Sequence, residues 1–341
     1  MRWTRFYANC PVCSPTRAAL LAGRYQEAVG VPGVIRTHAE NSWGLLSPEA
    51  ELLPAAIQQA NYRTVMVGKW HLGLDEPNLP NLRGFQFFYG FLGDMMDDYH
   101  THRRHGINYM RLDRRQIDPA GHATDLFSDW AAQWLRNWRG QERFFLYLAY
   151  NAPHDPIQPP DDFLARYKKR HPEAPERRAK LAALIEHLDA GIGRVLAALD
   201  EARQAHNTLV IFTSDNGGSL RAGADNGPLR DGKGKLYEGG IRVPMIARWP
   251  DRIPPGSTCD AVALTMDLYP TVMEAACPAA EAAEAAVAAV LVPAPVPAGL
   301  VPDTRVLDGV SLLPILRGES KELPQRDLFF SRRMPAGTIE A

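Results

Sequence analysis

Four short runs in this chain are apolar along their whole length instead of on alternate positions: Tyr62–Trp70, Arg143–His154, Asn207–Gly218 and Arg242–Pro250. Helical patterns separate them, among them Asp125–Trp138, Arg177–Ala202 and a stretch opened by Ser47 and Pro48 as N-cap and first turn. A strand that is apolar on both faces must be covered on both faces. The expected fold is therefore α/β, a mostly parallel central sheet with helices on both sides. In such sheets function collects at the carboxyl ends of the strands. Reactive side chains stand at those ends here: Lys69 and His71 after the first run, His154 after the second, Asp215 and Asn216 after the third.

The chain has 341 residues, enough for one large α/β domain or two smaller ones, and a formal net charge of −1. That balance gives no reason to expect nucleic acid or an anionic membrane surface as partner. No run of 18 apolar residues occurs, so no transmembrane segment is expected. Cys10, Cys13, Cys259 and Cys277 are too few and scattered for a disulfide scaffold, and the single C-x-x-C pair has no second pair to complete a zinc site. Residues 278–302 form a low-complexity Ala/Val/Pro segment, read as a surface insertion without chemistry.

The N-terminal cysteines pose the sharper question. Ser14 suits an N-cap and Pro15 a first helical position, so a helix should run from about Pro15 to Ala22 and end at Gly23. Cys13 would then sit just ahead of a helix N-terminus, where free N–H groups favour negative charge and acidify a thiol. Physics alone leaves a reactive and a structural thiol both open. Cys10, on the strand side, reads as a small packed hydrophobe.

Cys13-Ser14-Pro15-Thr16-Arg17 matches the C-x-P-x-R motif of type I sulfatases, and the following AALLAGR resembles the family's continuation. Further blocks occur in family order: Gly68–Gly73, Ala152–Pro156, Thr213–Gly218, Gly232–Pro244 and Leu307–Gly318. The chain thus resembles the formylglycine-dependent sulfatases of the alkaline-phosphatase-like superfamily over most of its length. The resemblance implies a sulfuric ester hydrolase in which a formylglycine-generating enzyme converts Cys13 to Cα-formylglycine. The hydrated aldehyde would attack sulfur with one hydroxyl, and the second would expel sulfate. It further implies that Arg17 reaches back to the diol or sulfate, that Lys69 stabilises the diol and that His71 acts as base. His154 would hold sulfate and protonate the leaving oxygen, and Lys233, preferred to Lys235 because it stands between two glycines, would contact a sulfate oxygen. Asp215 and Asn216 would ligate Ca²⁺, with Mg²⁺ as the alternative, in keeping with their hard oxygen donors. The implied partner is a sulfated small molecule or glycan.

Two departures shape the expectations. Sulfatases normally carry a strand ending in paired aspartates some tens of residues before the cysteine motif, whereas only 12 residues precede Cys13 here and none is aspartate. The family also continues into a small antiparallel subdomain beyond Arg326–Ala341. The expected organisation is a catalytic unit over 1–318 that lacks its first strand, and the start of a truncated C-terminal subdomain over 319–341. The first ten residues have no signal-peptide apolar region, while the resemblance implies export of a full-length protein. Asp94, Asp97 and Asp98 read as a solvated acidic loop, and Arg103-Arg104-His105 as either a plain basic loop or an attractor of polyanions. The alternatives are a phosphonate monoester or phosphodiester hydrolase of the same superfamily, and an inactive fragment that at most binds sulfated ligands.

Overall fold

The computed structural model describes residues 1–38, 42, 44–140, 142–277, 307–333 and 339–340. The expected insertion at 278–302 lies outside the described residues. The first strand, β1 (Arg2–Tyr7), leads directly into α1 (Cys13–Ala22). After α2 (Leu53–Gln58) come β2 (Tyr62–Lys69) and β3 (Phe87–Phe91), then four short strands: β4 (Arg103–Arg104), β5 (Ile107–Asn108), β6 (Met110–Leu112) and β7 (Arg115–Gln116). Helix α3 (Ala123–Asn137) precedes β8 (Arg143–Ala149), and α4 (Asp161–Arg170) and α5 (Glu176–Glu201) precede β9 (Val210–Thr213). A four-residue helix, α6 (Glu238–Ile241), opens into β10 (Arg242–Arg248), followed by β11 (Thr258–Cys259), β12 (Ala263–Leu264) and α7 (Leu268–Ala276).

The class is α/β as expected, but the main strands divide between two five-stranded sheets, while β4 and β5 pair only with each other in a separate ribbon among the described residues. One has the order β7-β6-β3-β2-β8, with β2 parallel to both β3 and β8. The other runs β11-β1-β10-β9, with β12 also pairing with β1. Here β10 is antiparallel to both β1 and β9, so the fourth apolar run does not extend a parallel sheet. Its exposed residues fall on every second position, the signature of a strand with one solvated face.

Helices cover both faces of the β2 sheet. Phe144 meets Trp134 of α3 and Trp138, the residue that ends it, edge-on, and Trp130 of the same helix stacks on Phe87 and Tyr89 at 4.8 and 4.0 Å. Tyr147, of opposite parity to Phe144, lies beside Arg17 of α1. The close spacing of the parallel strands has a backbone cause. A Cβ on Gly68 would stand 2.1 Å from the Ala149 carbonyl oxygen, and one on Gly90 would stand 1.9 Å from that of Gly68. Only glycine fits this row, one residue below Lys69.

Several local expectations change. Helix α1 begins at Cys13 with Val12 as N-cap and no side-chain cap, because the Ser14 hydroxyl instead accepts from the Ile35 amide at 3.1 Å. Gly23 does end the helix, at φ 64°. The helix expected from Ser47 begins only at Leu53, after a turn. The segment after residue 322 folds back on the β1–α1 side. Arg326 there pairs with the fully buried Asp267, and Phe330 meets Tyr7 at 5.9 Å between ring centroids.

Candidate active site

Helix α1 aims its first residue into a ring of two lysines and two histidines. The Cys13 thiol is 4% exposed. Burial alone would push its pKa up, yet the charges of Lys233 and Lys69, with the His154 and His71 rings beside them, hold it well below the ordinary thiol range. The structure therefore brings four sequence-predicted residues from three different loops and strand ends around one atom. Cys10, three residues earlier, shows the opposite: fully buried with no such ring, its thiol is pushed up to about 12.

Each member of the ring has a local reason for its place. Lys69 ends β2 and is buried; burial is the largest influence on its ammonium and brings its pKa down to about 8. His71 takes a left-handed backbone, φ 63°, and donates from Nε2 to the Ile35 carbonyl at 2.6 Å. That bond leaves Nδ1 unprotonated and without a conventional partner, on a ring that lies against the thiol. Burial, reinforced by Lys69, lowers the imidazole to about 4, so it is neutral at ordinary pH. Lys233 stands in a turn whose amides are tied to Gly218 and Pro11 carbonyls, at 3.0 Å from Lys233 and 2.9 Å from Gly234. Lys235, two residues on, is exposed.

Arg17, one turn along α1, spans the two sheets. Its guanidinium donates to the Lys69 carbonyl at 2.8 Å and to Asp215 Oδ2 at 3.0 and 2.9 Å. Asp215 follows β9, so the carboxyl ends of β2 and β9 are joined through one buried cation. Next to it, Asn216 Nδ2 donates to the Gly217 carbonyl, while its Oδ1 is buried without a partner. A buried amide oxygen left open beside a carboxylate suits a hard cation.

Two surface readings need correction. Asp94 is 4% exposed, not solvated: Arg104 donates to it at 3.0 Å, and Arg36 lies 3.7 Å away. Arg103 pairs with Asp118 at 2.7 Å, and Arg104 also with Asp97 at 2.7 Å, so the basic run is largely neutralised by its own loop. Two residues of the site escaped sequence reasoning. Tyr147 faces Arg17 from the interior of β8, and its parity opposite Phe144 was the available signal. Arg332 donates to the Gly234 carbonyl behind the Lys233 turn, and nothing in its local sequence marks it.

The sulfatase family model matches residues 1–278. The chain belongs to the sulfatase family. Among curated sulfatases, it is 31% identical over 355 residues to N-acetylgalactosamine-6-sulfatase of Canis lupus familiaris, covering 97% of this chain and 62% of the relative. It is 32% identical over 277 residues to arylsulfatase J of Mus musculus, covering 78% and 45%. The chain thus spans about three fifths or less of these relatives' lengths. Among solved structures, Ps i-CgsB in complex with k-i-k-neocarrahexaose superposes with a TM-score of 0.81 at 30% identity, over 98% of this chain and 72% of that one. A phosphonate monoester hydrolase from Silicibacter pomeroyi shares the fold, at TM-score 0.55 and 21% identity.

Proposed function

We propose that the chain is the catalytic part of a sulfuric ester hydrolase acting on a sulfated glycan or smaller sulfate ester, with residues 1–318 as its catalytic unit. The observation that carries this is the convergence of Lys69, Lys233, His71 and His154 on Cys13. A sulfate ester presents negatively charged oxygens around the atom to be attacked. A site for it needs fixed positive charge, a nucleophile at the centre and a proton for the departing alcohol. Lys69 and Lys233 supply the charge, and the buried setting strengthens it. Formylglycine at position 13, installed by a formylglycine-generating enzyme, supplies when hydrated a hydroxyl nucleophile and a second hydroxyl for releasing sulfate.

His71, neutral and with its Nδ1 lone pair free, is placed to take a proton from a group at position 13. His154, half-buried at the rim, is placed to protonate the leaving oxygen. Arg17 holds Lys69 and Asp215 in register and does not face solvent. Asp215 and Asn216 would hold a divalent cation, Ca²⁺ in preference to Mg²⁺, and that ion would add positive charge beside the bound sulfate. The substrate class is supported by two relatives, one named for a sulfated amino sugar and one solved with k-i-k-neocarrahexaose.

The test is co-expression with a formylglycine-generating enzyme, followed by mass spectrometry of the peptide containing Cys13 and assays on aryl sulfate and aryl phosphonate. The expected result is the mass loss of exchanging CH₂SH for CHO and faster turnover of the sulfate, abolished in Cys13→Ala. Preferred turnover of the phosphonate would move the reading to the phosphonate hydrolases. An unconverted thiol would leave an inactive sulfate-binding fold.

A further inference from the structure

The loop after β8 that carries His154 is held from outside the site by a group the reaction does not use. Tyr99, 1% exposed, donates from its hydroxyl to the His154 carbonyl at 3.0 Å. Its own amide donates to Gln158 Oε1 at 2.8 Å, and its carbonyl accepts from Ala123 at the start of α3. The Tyr99 ring stacks on His122, at 4.8 Å between centroids and 24° between planes. His122 caps α3 by accepting the Thr124 amide on Nδ1, and its Nε2 donates to the Gln158 carbonyl at 2.9 Å. Residues 154 and 158 are thus each gripped at a carbonyl, by a phenol and by an imidazole that face one another.

His122, Asp125 and His187 also bring ligand-type atoms within 4.8 Å of one another. Their bonds point to a brace and not to a metal site. Both nitrogens of His122 are engaged, and Asp125 already receives His187 Nε2 at 2.9 Å and Arg194 at 2.7 Å. Any cation there would meet an arginine and a ring with no lone pair to offer. The His187–Asp125 bond ties α5 to α3, and His187 lies edge-on to His122 at 4.7 Å. The brace is therefore anchored on the two long helices, not on the loop.

We propose that Tyr99 and His122 are positioning residues that clamp the 154–158 segment and so fix the imidazole of His154 against the reacting centre. This rests on the reading of His154 as the group that protonates the leaving oxygen. A displacement of the order of 1 Å at such a group slows the step about 100-fold, and the loss falls on esters whose alcohol needs the proton.

The experiment compares phenyl sulfate, a poor leaving group, with 4-nitrophenyl sulfate, a good one, in the formylglycine-bearing protein and its variants. Tyr99→Phe should lower kcat for phenyl sulfate by roughly 10- to 100-fold, and for 4-nitrophenyl sulfate by only a few-fold. His122→Gln, which keeps an N–H donor, should recover much of the activity that His122→Ala loses. Equal losses on both esters, or none, would overturn the brace. If the unaltered protein hydrolyses neither ester, the functional reading fails, and the brace is then judged by hydrogen exchange alone. The His154 amide donates to the Asn151 carbonyl at 3.0 Å and should exchange faster in Tyr99→Phe; unchanged exchange there would refute the clamp.

Discussion

Lys69 and Lys233 bring the same charge to the same thiol by different routes. Lys69 ends a strand paired on both sides and lies 2% exposed; Lys233 stands in a turn between two glycines and stays half-buried. Their surroundings differ in the same way. The β2 end is built from positions with no slack: the glycine row at 68 and 90, the Arg17 bond to the Lys69 carbonyl, and the Ile35 carbonyl against His71. The β9 side is looser, with an open amide oxygen on Asn216 and a half-buried turn at Lys233. The fixed half sets the electrostatics of the nucleophile. The open half is where bound ligands can change the contacts.

The largest expected effect comes from cutting the link between the halves. Asp215→Ala leaves the Arg17 guanidinium, with 8% of its side chain exposed, without its carboxylate. The loss should be about 3 kcal/mol, near the low end for a broken buried pair because Asp215 keeps some contact with water. Thermal unfolding in the presence of a chelator, which takes the cation out of the comparison, should show Tm lower by roughly 4 °C. An unchanged Tm would mean that Arg17 is not the link.

A second effect separates the two lysines by pH. Burial lowers the Lys69 pKa to about 8, and the protonated form is the one that stabilises anions. Turnover should therefore be full below that pH and fall as pH rises through it. The Cys13 thiolate acts to raise the Lys69 pKa, so its conversion to an uncharged group moves the alkaline limb to lower pH. Lys69→Arg, whose guanidinium does not titrate there, should move the limb upward, whereas Lys233→Arg should leave it in place. A pH–rate profile with the limb unmoved in Lys69→Arg would assign it to another group.

The smallest effect concerns the sheet edges. Among the described residues β8 pairs only with β2 and β9 only with β10, and Phe212 of β9 is 42% exposed. Phe212→Lys should reduce self-association, read by light scattering, with stability changed by no more than about 0.5 kcal/mol. Greater self-association in this variant would show that the edge is covered in solution.

How much of this was legible in the sequence depends on how local the cause is. The strands around Lys69 and His154 carry their burial in composition, and Gly23 carries its turn, so these could be read directly. β1 could not, because Arg2–Tyr7 is short and mixed, and becomes a strand through pairing with β10 some 240 residues away. Ser14 has every property of an N-cap but is engaged by the Ile35 amide, a tertiary bond that outweighs local preference. Asp94 belongs to a polar stretch and is buried because Arg104 and Arg36 fold over it. The ring of lysines and histidines around Cys13 was legible residue by residue through the family blocks. Its electrostatic consequence needed the geometry.

The span of Arg17 also has a kinetic meaning. A guanidinium that bonds to the ends of both β2 and β9 cannot leave water cheaply until both are in place, since an unpaired buried charge costs several kcal/mol. Docking of the two sheets and closure of the site should therefore be one event, late in folding. Substitutions at Arg17 or Asp215 should then act mainly on the unfolding rate, and the partly folded chain holds its nucleophile position exposed until the last step.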